Sequence, residues 1–162
     1  MKKTVWIVRT AICLALLIAV QFFTRSFGQL VTGSCVNLVL AVSALIGGVW
    51  SGITVAVISP FCAYLLGIGP AFLPMVPCVS LGNAVYAAAY VSMALAAAAK
   101  FVTLLVVLVW LVAPHVVPEA KLSVVTASFT WPQLLTAVIG GIIACLIAPT
   151  LCRALEKRTV SQ

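Results

Sequence analysis

The 162-residue chain is 65% apolar and 7% charged, with mean hydropathy +1.31 and a formal charge of +7 from nine basic and two acidic residues. Soluble domains run near 45–50% apolar and about 25% charged, and a chain of this size keeps about a third of its surface wet, so a water-soluble enzyme is excluded. Disorder needs low hydrophobicity and is excluded too. The apolar runs are continuous rather than alternating, which leaves an all-α polytopic membrane protein instead of a β-barrel.

A hydrocarbon core takes about 20 apolar residues per helix. Taken in chain order, the first span is expected at 5–23. The leader Met1-Lys2-Lys3 resembles a signal peptide. The run continues into Gln21-Phe22-Phe23 without a small-x-small cleavage site, so it reads as a retained helix. The second span is expected at 31–46, closed by a tight turn at Gly47-Gly48. The third is expected at 49–66, interrupted by Pro60. Glycine and proline make 67–77 a loop. The fourth span is placed at 78–95, with Lys100 as punctuation before the fifth at 101–113. A polar loop over 114–131 leads to the sixth at 132–151, where Pro132 suits a first helical turn. The tail 153–162 reads as solvated. The whole chain, 1–162, is one six-helix transmembrane domain.

Basic residues near helix ends set orientation. With the N-terminus inside, Lys2, Lys3, Arg9, Lys100, Arg153, Lys157 and Arg158 are inner and Arg25 and Lys121 are outer, seven against two. Both termini are then cytoplasmic, as an even number of spans requires. The positive charge reads as topology control and lipid contact rather than nucleic-acid binding. The three outer loops, 24–30, 67–77 and 114–131, are longer than the inner turns. They read as lids over an outward-facing pocket or as plain connectors.

Aspartate is absent, and Glu119 and Glu156 fall outside the spans. No carboxylate is placed to act as an intramembrane proton relay or cation ligand. The six cysteines make no C-x-x-C pair and read as small packing residues, with no metal or other cofactor expected. There is no P-loop, H-E-x-x-H or G-x-S-x-G, and His115, Glu119 and the cysteines make no catalytic cluster, so no enzyme is expected.

Three stripes of small residues stand at helical spacing: Ala11, Ala15 and Ala19; Gly48, Gly52 and Ala56; and Thr136, Gly140, Ala144 and Ala148. Such stripes bring helices close in lipid, inside the bundle or against another membrane protein. Asn37, Asn83, Tyr86 and Gln133 are polar at membrane depth and need partners in protein, water or ligand. Phe27, Tyr64, Phe72, Phe129 and Trp131 flank the outer side. They suit an interfacial belt or stacking on a flat ligand. Asn83, Tyr86, Trp131 and Gln133 are the expected pocket residues, with Phe72 and Phe129 as apolar cover. Gln29 and Asn37 are the fallback.

These residues resemble the substrate-binding S components of energy-coupling factor (ECF) vitamin transporters. The resemblance covers about residues 5–152. It rests on Ala11, Ala15 and Ala19 in the first helix; on Val36-Asn37-Leu38 running to Gly47-Gly48; on Leu81-Gly82-Asn83; and on the segment from Phe129 to Ala137 leading to Gly140-Gly141. It implies a bacterial plasma-membrane protein that binds a vitamin-like molecule near the outer surface. It further implies docking on a transmembrane coupling subunit through Ala11, Ala15 and Ala19, two cytosolic ATPases that drive the cycle, and a component that topples to release substrate inside. No one vitamin subgroup's binding residues match. The alternatives are a small integral assembly or scaffold protein, or an autonomous exporter. An exporter would show inverted repeats, and no convincing repeat is present.

Overall fold

The structure, a computed structural model, describes residues 3–90 and 92–160. Residues 1–2, 91 and 161–162, with the side chains of 155–160, lie outside that description, and Lys2, Lys157 and Arg158 of the orientation count fall there. The described chain is all-helical, without strands. Six helices build the bundle: α1 (Lys3–Thr24), α2 (Gln29–Gly47), α3 (Val49–Leu65), α4 (Met75–Ala88), α5 (Met93–Val116) and, after a short arm α6 (Glu119–Ser128), α7 (Trp131–Val160).

Length and composition divide them. Four stretches are long and apolar enough to cross a membrane: Lys3–Phe27, Gln29–Gly47, Met93–Val116 and Glu119–Ala154. α3 and α4 are apolar but have only 17 and 14 residues. At 1.5 Å per residue they reach about 26 and 21 Å, short of a hydrocarbon core of about 30 Å. Large apolar side chains are exposed all around the bundle, among them Ile12, Trp50, Leu65, Trp110, Ile142 and Leu146. A water-soluble protein does not present such a surface.

The connections differ at the two ends. α2 passes into α3 through Gly48 alone, at φ 82°, a left-handed conformation that glycine adopts without Cβ strain. The expected tight turn is therefore found. At the other end α3 closes on Gly67 at φ 67°, with Ile68 N–H donating to Ala63 O (2.9 Å) and Gly67 N–H to Tyr64 O (3.0 Å). These two bonds satisfy carbonyls that the helix end would otherwise orphan. The chain then loops across to Pro74.

α2 is the central helix, packed on α1, α3 and α7, while α5 packs on α4 and α7. Its seam with α7 is as close as backbones allow. A Cβ on Gly140 would lie 2.6 Å from Ser34 O, and one on Gly33 would lie 2.9 Å from Thr136. Gly52 likewise faces Ala44 and Ala87. The small residues of α3 and α7 thus serve internal packing. The α1 stripe differs, because Ala11, Ala15 and Ala19 all face outward and only Thr10, Cys13 and Leu17 of α1 are buried.

Four sequence expectations change. The fourth helix ends at Ala88 rather than 95, because Ser92 starts a new helix by accepting from Leu95 N–H (3.5 Å). Lys100 is then interior to α5 rather than between helices, and it is buried. Removing it from the inner count leaves six basic residues against two. The expected loop 114–131 contains α6, started by Pro118 and Glu119. The tail from 153 continues α7 as helix to Val160.

Candidate functional site

A cavity of about 300 Å3 opens among the ends of the helices on the side carrying the long connections. That is the lower end of the range for small-molecule sites. Its walls come from nearly every part of the fold. α1 gives Gln21, and α2 gives Gln29, Thr32, Gly33 and Val36. α3 gives Pro60 and Ala63, and the following loop covers it with Ile68–Ala71. α4 gives Met75, Val79 and Asn83. Lys100 of α5, Val124, Val125 and Ser128 of α6, and then Phe129 and Gln133 complete it.

Asn37 and Asn83 each stand eight residues past their helix starts, about 12 Å along the axis. At that depth a hydrogen-bonded chain fixes a cation. The Thr136 hydroxyl donates to Gln133 O (3.1 Å), and Asn37 Nδ2 donates to Thr136 Oγ1 (3.3 Å) and to Gly33 O (2.9 Å). Both Asn37 donors are thereby used, which turns Oδ1 toward Lys100. Lys100 Nζ donates to it at 2.6 Å. The Lys100 ammonium also stands 5.6 Å from the centre of the Tyr86 ring, whose face attracts cations. Lys100 is 3% exposed and Asn37 fully buried.

Two other polar atoms are buried at the cavity without a hydrogen-bond partner among the described residues, Asn83 Oδ1 and Gln21 Oε1. A buried amide left so costs a few kcal/mol. Native proteins keep such groups rarely, and then for a reason.

The expected pocket residues divide. Asn83, Gln133 and Phe129 line the cavity, as does the fallback residue Gln29. Tyr86 is fully buried behind it, its hydroxyl spent on Ala137 O (3.1 Å). It supports Lys100 rather than lining the space. Phe72 packs with Phe129 against a second core cluster around Met75, Leu104 and Leu108. Trp131 is 71% exposed and lies against Phe101 with ring centres 5.6 Å apart, outside the cavity. It starts α7, and its side chain points away from the face that carries Gln133. Asn37 is an organiser of the floor rather than a lining residue.

Sequence reading missed Lys100 and Gln21. For Lys100 the signal was present: from Met93 to Ala113 no glycine or proline interrupts the apolar run. A charge within an unbroken apolar helix marks an interior site rather than a helix end.

His115 and Glu119 are exposed, and the six cysteines are free. No group of metal-ligating side chains stands together among the described residues. The cavity offers amide and hydroxyl groups, the Lys100 amine and apolar contact. Comparison of the chain with family models, curated proteins and solved structures found no match.

Proposed function

We propose that the protein is the membrane-embedded substrate-binding component of an ECF-type importer, with six spans and both termini cytoplasmic in a bacterial plasma membrane. It captures a vitamin-like small molecule at the outer surface and docks on a coupling subunit served by two cytosolic ATPases. The observation that carries this reading is the cavity. An otherwise apolar bundle converges Gln21, Asn83, Lys100 and Gln133 on one space, roofed by loops and by α6. A scaffold protein has no use for unpartnered amides around a buried space, whereas a binding protein does.

The outward α1 stripe supports the docking half. Ala11, Ala15 and Ala19 present a smooth face on a helix with only 17% of its apolar window buried in the bundle. In lipid, close approach of such faces is what joins helices.

The test is Ala15→Trp, assayed for uptake, for co-purification with the coupling subunit and for substrate binding. Ala15 touches neither the core nor the cavity. Binding should persist while uptake and co-purification are lost. Transport at the normal rate would overturn the docking assignment.

A further inference from the structure

The cavity holds an amine, Lys100, that the described residues leave without a counter-charge. Lys100 Nζ has three donors, and the described residues offer it one acceptor, the neutral Asn37 Oδ1. The sequence has no aspartate. Of its two glutamates, Glu119 is exposed at the start of α6, and the Glu156 side chain lies outside the described residues in the tail of α7. Among the described residues no carboxylate pairs with Lys100. A buried cation without a counter-charge is costly, so this amine carries its full charge only beside an anion.

We propose that the missing counter-charge arrives with the ligand: the cavity takes a small organic acid whose carboxylate seats on Lys100 and whose N–H or O–H groups meet Asn83 Oδ1 and Gln21 Oε1. The inference rests on the reading of this cavity as a capture site and names its substrate class. One lysine balances one negative charge. Among the described residues no arginine and no second lysine lines the space, so a dianion such as a phosphate monoester would enter with a charge left over. A halide or nitrate offers no donor to Asn83 and Gln21, and bicarbonate has one O–H for two acceptors. An organic monoanion bearing its own donors satisfies all three groups. The Gln133–Thr136–Asn37 chain holds the lysine for that role, because Asn37 has no remaining donor with which to repel it.

The experiment uses the full chain purified in detergent and matched pairs whose acid carries its own N–H or O–H donors and whose partner lacks the carboxylate: pantothenate and panthenol, biotin and its primary amide. Binding is measured by equilibrium dialysis. In parallel, small molecules released on denaturation of the freshly purified protein are identified by mass spectrometry. For a pair that binds, the acid is expected to bind at least about thirtyfold tighter than its neutral partner, the low end for one side of a buried charge pair left alone. Lys100→Gln should lose the acid by a similar factor. A released molecule bearing a carboxylate, absent from Lys100→Gln, supports the proposal equally. The acid-against-amide comparison is made on the unaltered chain, so it does not depend on how the variant folds. A neutral partner bound as tightly as its acid, an unchanged acid affinity in Lys100→Gln, or a released molecule that is neutral or cationic overturns the anion assignment and leaves capture standing. No binding by any probe together with no released molecule overturns capture itself, and this assignment with it.

Discussion

The α2–α7 seam makes a demanding prediction for Gly140→Ala. Alanine is the better helix former, and in an exposed helix the change would stabilise by up to about 1 kcal/mol. Here the added methyl would stand 2.6 Å from Ser34 O, 2.8 Å from Asn37 Cβ and 2.8 Å from Leu38 N. Ordinary contact begins at 3.4 Å, so the seam has to open by about 0.8 Å (3.4 less 2.6). The nearest atom is backbone and cannot rotate aside. Overpacking of this kind costs about 1–3 kcal/mol, which outweighs the propensity gain. Less the propensity gain, a net loss of up to about 2 kcal/mol remains, which for a chain of this size corresponds to a fall of up to about 8 °C in Tm. Thr136 lies one turn from Gly140 and accepts from Asn37, so the same displacement loosens the hold on Lys100 and weakens binding. Thermal unfolding of the detergent-solubilised protein, with Ala15→Leu on the outward face as the control, measures the first effect. A Gly140→Ala variant that melts at or above the unaltered chain would refute the packing argument.

Other expectations follow from the same geometry. Asn83→Ala and Gln133→Ala should each weaken binding by roughly tenfold to a hundredfold, the worth of about 1–3 kcal/mol for a hydrogen bond in a dry site, with unchanged affinity in both variants counting against the cavity. Trp131→Ala should leave affinity unaltered in the same dialysis assay, since the ring lies outside the space; a tenfold loss would place the site elsewhere. A reporter active only outside the cytoplasm, fused after Gln162, should be silent; strong activity would reverse the topology and the loop assignments that depend on it.

The all-helical class and the long apolar helices were legible because unbroken apolar length is a property of the sequence itself. The Gly48 turn was legible for a similar reason, since a Gly-Gly pair between two apolar runs has few other uses. Boundaries inside apolar sequence were not. Between residues 78 and 103 hydropathy barely changes, and the break before Met93 depends on one hydroxyl, Ser92, capping a helix. That misplacement carried Lys100 with it. Asn83, Gln133 and Phe129 were found at the cavity because polarity at depth and position near the loop end are sequence properties. Trp131 was expected there too, two positions from Gln133. Neighbours at that spacing point to different sides of a helix, and only the packing of α7 on α2 and α5 decides which side faces in. The α1 stripe and the α7 stripe look alike as spacing. Their opposite fates, outward and inward, are a property of the assembled bundle.

The single-residue joint at Gly48 and the crowded seam at Gly140 have a joint consequence for traffic. Together with the Asn37–Lys100 contact they make the cavity a cup rather than a tunnel. Its mouth is surrounded by the long connections, while its base is stitched by the shortest link a chain can make and by backbones already in contact. On the proposed importer reading, passage onward between α2 and α7 would mean separating helices whose backbones already touch at Gly140, so delivery would turn the cup over, with the smooth outward face of α1 as the bearing for a partner.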